Sequence, residues 1–425
     1  MSDEKVVLGL RENWRQFFLL ILINAFVGGM VGLERTIIPQ IAAADFGLAA
    51  KTAILSFIVV FGITKAITNF FTGVLSNRFG RKKLLVLGWI FALPVPLILM
   101  SATNWNWIIA ANILLGINQG LAWSSTVVMK IDLVGERNRG LAMGLNEFAG
   151  YIALAGIAFL TGWIAHEYGL RPYPFYVGIG LAVFGLTLSL FFVVDTHRHV
   201  LLESTSSTTP RLQSVFLETA WKHKNLGSVT QAGLVNNLND GMVWGLFPML
   251  LSSKGFNLNE TGLIVAAYPA MWGVGQLFTG PLADKVCKRK LLFWGMLTQG
   301  AALVAMAWAG SFNTFIVLSL LLGIGTAIVY PTFLAAISDD THPDQRPQSI
   351  GVFRLFRDLG YAIGAVLTGL IADRFGLLAP VLAIGIITIL SSLVIQVRMT
   401  CRKRDRDLQT PKISARASPE GLNSR

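Results

Sequence analysis

Long apolar stretches alternate with short polar loops along the whole chain. Twelve of these stretches lie near residues 16–38, 52–75, 84–102, 107–128, 141–164, 172–194, 229–251, 261–282, 291–310, 313–337, 350–372 and 377–397. About 20 helical residues cross the hydrocarbon core of a bilayer, whereas a transmembrane strand shows roughly 10 residues of alternating polarity. The pattern therefore predicts an all-α integral membrane protein with twelve transmembrane helices, which we number spans 1 to 12.

The longest polar interruption is rich in Ser and Thr and leaves six spans on either side. Its composition is typical of a linker. We therefore expect an N-terminal tail over 1–15, a six-helix bundle over 16–194, a linker over 195–228, a second six-helix bundle over 229–397 and a C-terminal tail over 398–425. The last tail is basic and lacks an apolar period, so we expect it to be disordered, with residues 402–406 at anionic lipid headgroups.

Basic residues are distributed unevenly between the two sides of the predicted membrane. With the N-terminus in the cytoplasm, 27 of the 35 Lys and Arg residues fall in cytoplasmic loops and tails, and five fall on the opposite side. Because positive loops stay inside, both termini are predicted to be cytoplasmic in an inner or plasma membrane. This topology explains the net charge of +12, so no nucleic-acid partner is expected. Only 14% of residues are charged, whereas soluble domains carry roughly a quarter.

The two halves of the chain repeat each other. A shift of 207 residues aligns them without a gap over residues 71–169, and it places Asp132 on Asp339 and Arg139 on Arg346. Chance would not keep one register over so long a stretch. Six-plus-six repeats of this kind occur in transporters that bind their substrate near the bilayer midplane, between the halves. The repeat therefore predicts two pseudo-symmetric bundles.

One loop motif occurs at equivalent places in both halves. The chain reads GVLSNRFGRK after span 2 and GPLADKVCKR after span 8. Both segments resemble the signature G-x-L-[AS]-D-R-x-G-[RK]-[RK] of the major facilitator superfamily. The resemblance covers residues 16–397 and implies that superfamily's fold, with glycines at close helix contacts and an acid that accepts hydrogen bonds from a neighbouring helix N-terminus. The residues that it places in the conformational machinery are Gly73, Asn77, Arg78, Gly80, Arg81, Gly280, Asp284 and Lys285.

The chain also departs from the patterns of known subgroups. The acid of the motif is Asp284 in the second half but Asn77 in the first, so only the second half can form the charged contact. Asn112 stands where many proton-coupled drug exporters carry an Arg, and span 5 has no proline. The loop signatures of sugar porters are absent. The subgroup therefore stays open, and drug efflux is not specifically indicated.

Ionisable residues in the middle of spans indicate a site, because each costs at least ~2.5 kcal/mol at a helix centre. They are Lys65 in span 2, Glu147 in span 5, Asp240 in span 7, and Arg354, Arg357 and Asp358 in span 11. Packing is the alternative interpretation for several of them. Arg354 and Asp358 are four residues apart and can neutralise each other, and Asp240 can bond to Asn236 one turn earlier.

We expect Lys65 and Asp358 to pair across the two halves, because facilitator folds place span 2 beside span 11 and the two residues lie at similar depths. Asp240, with Asn236, is expected to take part in substrate or proton binding near the midplane.

Two sets of repeat-equivalent residues complete the hypotheses. Glu147 falls on Arg354, and we expect both, with Arg357 and Asp358, to belong to a cytoplasmic gate. A second set pairs a polar residue with an aromatic one turn later, a pattern that suits a cavity lining, although an aromatic in such a place more often serves packing. This set consists of Gln119 and Trp123 on span 4, with Thr326 and Tyr330 on span 10.

These patterns favour a secondary transporter that moves a small organic solute by alternating access, coupled to protons, with export favoured over uptake. The mid-span cations indicate an anionic solute. The chain has no P-loop, no G-x-S-x-G and no metal-ligand cluster, so we expect a protein that is not an enzyme and holds neither cofactor nor metal. We also expect a monomer. The alternative is a sensor, scaffold or lipid-handling protein on the same fold. Cys287 and Cys401 are expected to be unmodified thiols.

Overall fold

The computed structural model describes residues 6–35, 37–47, 51–135, 138–206, 209–256 and 258–401, and over these ranges the chain is helical without strands. Spans 1 to 6 occupy Trp14–Arg35, Lys51–Phe79, Arg81–Ala92 with Pro94–Ser101, Trp105–Asn118 with Gln119–Trp123 and Ser124–Val134, Arg139–Tyr168, and Tyr173–Phe191. Spans 7 to 12 occupy Lys224–Ser253, Leu258–Lys285, Lys288–Met306, Phe312–Asp339, Arg346–Phe375 and Leu378–Arg398. The predicted all-α fold of twelve spans is confirmed.

Spans 3 and 4 are each interrupted once. Span 3 breaks where Pro94 follows Leu93, because proline removes a backbone donor from the helix. Span 4 passes through a π-helical turn over Gln119–Trp123. Turns of this kind insert a residue into the helix and are frequent at functional sites, and this one contains two of the predicted cavity residues.

The outer surface of the bundle suits lipid. By length and composition, eight helices within the described ranges can cross a bilayer, those of spans 1, 2, 3, 5, 6, 10, 11 and 12. Spans 4, 7, 8 and 9 fall below this threshold and pack among the others. Large apolar side chains face outward; Phe278 is 74% exposed and Val397 is 84% exposed. Because so much apolar surface is unfavourable in water, the chain is an integral membrane protein.

The two halves meet through glycines. Span 2 packs against span 11, where a Cβ added to Gly73 would lie 2.4 Å from the carbonyl oxygen of Pro347 and 2.9 Å from Cα of Gly351. Span 8 packs against span 5, where a Cβ added to Gly280 would lie 3.0 Å from Cα of Gly144. The 207-residue shift converts one contact into the other. Helix backbones therefore touch at two pseudo-symmetric places, as the motif predicted.

The segment between spans 6 and 7 contains a helix, His197–Ser206, where its composition suggested only a polar connection. We call this the linker helix, and the side of the molecule on which it lies the linker side. Ser204 Oγ donates to a carboxylate oxygen of Asp344 at 2.6 Å, and the backbone N–H of Leu212 donates to Oε1 of Gln345 at 2.8 Å. These bonds hold the connection against the turn that precedes span 11.

The prediction of two unmodified thiols is wrong. Cys287, immediately before span 9, forms a disulfide with Cys401, which follows span 12. The fold brings these residues, 114 positions apart, to a Cα separation of 5.6 Å, inside the range of about 4.4 to 6.8 Å that disulfides require. The sequence did not indicate this disulfide, because spans 9 and 12 are far apart along the chain and become neighbours only in the folded bundle. Residues 402–406, the predicted headgroup contact, lie outside the described residues.

Candidate functional site

Charged residues at the linker side follow the internal repeat. In the first half Arg81 Nε lies 3.4 Å from a carboxylate oxygen of Asp132, and in the second half Lys288 Nζ lies 2.6 Å from Asp339. The shift of 207 residues converts the first pair into the second. Each pair joins the start of one span to the end of the next within a single half.

Two further ion pairs connect the halves to each other. Arg139 lies 3.1 Å from Asp339, and Arg346 lies 3.9 Å from Asp132. These pairs are also repeat equivalents. Because each joins one half to the other, both require the linker-side ends of the two bundles to be in contact. The structure is therefore closed on the linker side.

One carboxylate on the linker helix serves both halves. Glu203 accepts two hydrogen bonds from the Arg346 guanidinium, at 2.8 and 2.9 Å, and another from Arg139. Burial opposes ionisation of Glu203, which is 4% exposed, but the two guanidinium groups outweigh that effect and hold the pKa of its carboxyl below the ordinary value. We call the whole set the linker-side charge network: Arg81, Asp132, Arg139, Glu203, Lys288, Asp339 and Arg346.

The motif acid caps a helix of the other half. The carboxylate of Asp284 accepts hydrogen bonds from the backbone N–H groups of Gly140, at 2.8 Å, and Leu141, at 2.9 Å. These are free donors in the first turn of span 5, where the helix dipole also favours a negative charge. The predicted contact between an acid and a helix N-terminus therefore forms in the second half.

The first half has an asparagine because its partner helix begins differently. Pro347 is the repeat equivalent of Gly140, and proline has no backbone N–H. An acid at position 77 would lack the donor that Gly140 supplies to Asp284. Asn77 instead donates through its amide to the backbone carbonyl of Asp344.

This difference predicts unequal effects of two substitutions. Asp284→Asn is expected to lower the Tm of the purified protein, because hydrogen bonds to a charged group contribute about 1.5 to 3 kcal/mol. Adding Asn77→Asp to that variant is expected to recover only a small part of the loss, because Pro347 cannot donate and only Gln348, the equivalent of Leu141, retains its backbone N–H. Recovery of the Tm in the double variant would contradict this account of the motif.

The other motif residues occupy the linker-side surface and its turn. Arg78 and Lys285 are exposed. Gly80 has a φ of 84°, and an added Cβ would lie 2.9 Å from a carboxylate oxygen of Asp195. That carboxylate accepts a hydrogen bond from the backbone N–H of Lys82 at 2.9 Å. Gly80 is therefore required by both backbone conformation and space.

Deeper in the protein, a chain of hydrogen bonds crosses from one half to the other. Arg354 Nη1 donates to Ser124 Oγ at 2.8 Å, Ser124 donates to Asn69 Oδ1 at 2.5 Å, and Asn69 Nδ2 donates to Asp358 at 2.5 Å. Arg357 closes the chain with bonds of 2.6 and 2.9 Å to Asp358. Together with Lys65, these five residues form what we call the central polar cluster. The structure thus brings four of the predicted site residues together.

The predicted ion pair between Lys65 and Asp358 does not form. In the described structure Lys65 makes no ion pair; its ammonium lies 5.6 Å from the ring centre of Phe61 and 5.5 Å from that of Trp123. Asp358 instead forms an ion pair with Arg357, the residue immediately before it on span 11, at 2.6 Å. Spans 2 and 11 are adjacent as predicted, but adjacency alone does not select the partner.

Glu147 and Arg354, the repeat-equivalent residues of the predicted gate, form no ion pair with each other in the part of the chain that the structure describes. Glu147 accepts hydrogen bonds from Trp123 Nε1 at 3.2 Å and from Asn146 Nδ2 at 2.6 Å. It is buried beside span 4, because span 5 lies next to span 8 rather than span 11. The charges that join the halves at the linker side in this structure are those of the linker-side charge network, and the gate role of Glu147 stays a prediction.

Asp240 lies in a second buried polar group. Tyr268 donates a hydrogen bond to one carboxylate oxygen, and the Tyr361 hydroxyl donates to the other at 3.3 Å. Thr326 Oγ1 lies 3.4 Å from the hydroxyl of Tyr268. The amide of Asn236 donates to Oδ1 of Asn237 at 3.3 Å, and within the described residues the Oδ1 of Asn236 has no hydrogen-bond partner.

The repeat-equivalent pairs on spans 4 and 10 have different surroundings. Gln119 donates to the backbone carbonyl of Val27 at 2.8 Å, which anchors the π-helical turn to span 1. Trp123 faces Lys65 and Glu147, as described above. Tyr330 lies under the Arg357 guanidinium, with 5.3 Å between the guanidinium carbon and the ring centre. Both aromatic residues therefore contact the charged residues, as a cavity lining would.

Sequence reasoning missed several members of these sites. Asn69 lies four residues after Lys65, so helical spacing could have indicated it. Ser124 gave no signal. Lys130 entered the charge count as a cytoplasmic loop residue, but it is fully buried in span 4 and donates to the carbonyl of Leu20 at 3.1 Å. Glu203 could not be found from the repeat, because the linker has no counterpart in it.

Comparison with known proteins agrees with this architecture. A family model described as Major Facilitator Superfamily matches residues 17–228 and again residues 229–423. A proton-coupled antiporter flippase, LtaA of Staphylococcus haemolyticus, is 25% identical over 376 residues, with 86% of this chain and 88% of that protein covered. The multidrug resistance protein MdtG of Escherichia coli O1:K1 is 21% identical over 376 residues, with 86% and 90% covered.

Two solved structures share the fold at low identity. The human organic anion transporter MFSD10 superposes with a TM-score of 0.70 at 15% identity, covering 91% of this chain and 99% of that chain. The proton:xylose symporter XylE superposes with a TM-score of 0.72 at 15% identity, covering 90% and 96%. At these identities the likeness concerns the fold alone.

Proposed function

Because the chain belongs to the major facilitator superfamily, we propose that it is a proton-coupled secondary transporter that exports organic anions by alternating access. The described architecture suits this mechanism, with two six-helix bundles in contact at the linker side and polar residues between them. The named relatives are transporters rather than enzymes.

The observation that carries the anion assignment is Arg354. Its side chain is fully buried, and its Nε and Nη2 have no hydrogen-bond partner among the residues that the structure describes. A buried guanidinium with unused donors is costly unless a ligand completes it. Lys65, which lies within electrostatic reach of Arg354, also lacks an ion pair in the described structure. A carboxylate is the ligand that matches the planar donor edge of an arginine.

Proton coupling is assigned to the buried carboxylates. Asp240 and Glu147 are both buried, and their described contacts are hydrogen bonds from Tyr268, Tyr361, Trp123 and Asn146. Ionisable residues inside membrane helices form the proton relays of many transporters. The two carboxylates lie on opposite halves, so a change in their protonation alters the charge on both sides of the bound anion.

We assign the linker side and both termini to the cytoplasm of an inner or plasma membrane. The support is the distribution of Lys and Arg, which strongly favours the linker side. In this orientation the described structure is closed to the cytoplasm.

The proposal predicts selective stabilisation by anions. Organic carboxylates at about 100 times Kd are expected to stabilise the detergent-solubilised protein by ~2.7 kcal/mol, seen as a raised Tm, while organic cations and neutral sugars leave it unchanged. Arg354→Gln is expected to abolish the shift. Arg374→Gln is the matched control, because Arg374 lies on the same helix and is exposed.

A transport measurement separates binding from coupling. In proteoliposomes with an imposed pH gradient, Asp240→Asn is expected to keep the anion-induced rise in Tm and to lose gradient-driven transport. Stabilisation by cations or sugars instead of carboxylates would overturn the anion assignment. Full gradient-driven transport by Asp240→Asn would remove Asp240 from the coupling mechanism.

Lipid translocation is the second candidate, because the relative LtaA is named a flippase. The same proteoliposomes distinguish the two activities. A lipid flippase would move a fluorescent phospholipid between leaflets, whereas an exporter of soluble anions would leave it in place and accumulate the carboxylate.

A further inference from the structure

Five aromatic rings form one cluster across the interface between the halves. Trp123 and Tyr151 come from the first half, and Tyr268, Trp272 and Tyr330 come from the second. Tyr151 is the centre: its ring lies 5.8 Å from Trp123, 4.0 Å from Trp272 and 6.2 Å from Tyr330. Trp272 also contacts Tyr330 at 4.9 Å and Tyr268 at 5.9 Å. We call these five residues the aromatic cluster.

Cations lie over two rings of the aromatic cluster. Lys65 stands 5.5 Å from the ring centre of Trp123, and Arg357 stands 5.3 Å from that of Tyr330. The cluster is therefore continuous with the charges that the proposed function assigns to the anion. A ligand whose carboxylate reaches the central polar cluster would place the rest of its body against these rings.

Unused polar groups lie on the face of span 8 that carries Trp272. Trp272 is 1% exposed, and within the described ranges its Nε1 has no hydrogen-bond partner. Gln276, one turn later on span 8, is fully buried, and neither its Nε2 nor its Oε1 has a hydrogen-bond partner in the described part of the chain. Residues four apart share one helix face. Buried polar groups in proteins are normally paired, so one face of span 8 presents donors and an acceptor that no described residue uses.

We propose that the aromatic cluster, with Trp272 and Gln276, binds the body of the transported anion, and that the substrate class is aromatic carboxylates with a polar group on the ring. The inference rests on the proposed function, which supplies the anion. Aromatic faces favour other π systems over saturated rings of equal size, because the interaction depends on the quadrupole as well as on buried area. Trp272 Nε1 and the Gln276 amide then form hydrogen bonds with the polar group on the ligand's ring.

The position between the halves suits a transported ligand. Tyr151 touches Trp272 and Tyr330 across the interface, and its hydroxyl lies 3.3 Å from that of Tyr330. These contacts change whenever the halves move relative to each other. A planar ligand that enters between the rings replaces contacts between the halves with contacts to itself, so its binding is linked to the conformational change.

Two acids of similar size test the ring preference. Calorimetric titration of the detergent-solubilised parent at neutral pH is expected to give benzoate about tenfold tighter binding than cyclohexanecarboxylate, because several ring contacts favour the π system. Trp272→Leu is expected to remove the difference between the two acids. Trp272→Phe, which keeps a ring and is the gentler change for folding, is expected to retain it. Trp294→Leu is the control, because Trp294 is 61% exposed on the outer surface.

A second comparison tests the unused polar groups. The parent is expected to bind 4-hydroxybenzoate more tightly than benzoate, and Gln276→Leu is expected to lose that preference while raising the Tm of the ligand-free protein, because an unpaired buried amide is removed. Equal binding of benzoate and cyclohexanecarboxylate by the parent, or a preference that survives Trp272→Leu, would overturn this inference and leave anion transport standing. If the parent binds other carboxylates but none of these three acids, the inference about aromatic substrates is overturned and the proposed function stands. If the parent binds no carboxylate at all, the proposed function is overturned as well.

Discussion

Replacing Glu203 with glutamine is expected to open the linker side of the transporter. The substitution keeps the shape of the side chain and removes the charge that Arg139 and Arg346 share. Removing one partner from a buried ion pair costs about 3 to 5 kcal/mol, and Glu203 is 4% exposed. The cost falls only on the state closed at the linker side, so a shift of roughly a hundredfold or more in the ratio of the two states is expected.

The measurement is the distance between spin labels at Lys83 and Lys290, exposed repeat equivalents at the linker-side starts of spans 3 and 9. Cys287 and Cys401 are replaced by serine in every sample. Thr205→Ala is the control, because Thr205 is an exposed neighbour on the linker helix. A distance distribution in Glu203→Gln that matches the parent would refute the role of this carboxylate.

The same carboxylate predicts the pH response of the closed state. The two arginines hold the pKa of Glu203 below its ordinary value. The stabilisation that the ionised Glu203 gives to the closed state is therefore complete above the ordinary carboxyl pKa, and it is lost as pH falls through the lowered pKa. The parent should therefore keep its closed distance at neutral and mildly acidic pH.

A methyl group at Gly144 is expected to have a comparably large effect. Its Cβ would lie 2.5 Å from the carbonyl oxygen of Gln276 and 3.0 Å from Cα of Gly280, both backbone atoms that cannot rotate away. Spans 5 and 8 would have to separate, and overpacking of this kind typically costs about 1 to 3 kcal/mol, occasionally more. Gly144→Ala should therefore lengthen the distance between the linker-side labels and slow transport.

Gly156 provides a control on the same helix. A Cβ there meets no atom of the described residues within 4 Å. Gly156→Ala should therefore leave the distance between the labels unchanged and raise stability slightly, since alanine favours helix over glycine by about 1 kcal/mol. The two alanines thus have opposite expected signs. Equal behaviour of both variants would show that the glycine contact does not limit the closed state.

The apolar stretches predicted the twelve spans, and the resemblance to the superfamily implied the adjacency of spans 2 and 11 and the contact at Asp284. Each of these depends on periodicity or on backbone groups, which the sequence specifies directly. The ion pair of Lys65 with Asp358 was predicted incorrectly, and the bonds of Glu147 were not predicted, because several charged residues compete within one region and side-chain geometry decides among them. Arg357 forms the ion pair with Asp358 because the two residues are adjacent, and Trp123 and Asn146 donate hydrogen bonds to Glu147.

Glu203 gives the chain connection between the bundles a meaning beyond tethering. A carboxylate attached through the backbone acts at a high effective concentration on the half that carries it. If the gene were divided after Ser206, the first fragment would contain Glu203 and Arg139, and Arg346 would have to be recruited from a separate molecule. If it were divided before His197, the second fragment would contain Glu203 together with Arg346. The position of the cut, rather than the contacts in the assembled protein, would then determine which fragment carries the shared charge into reassembly.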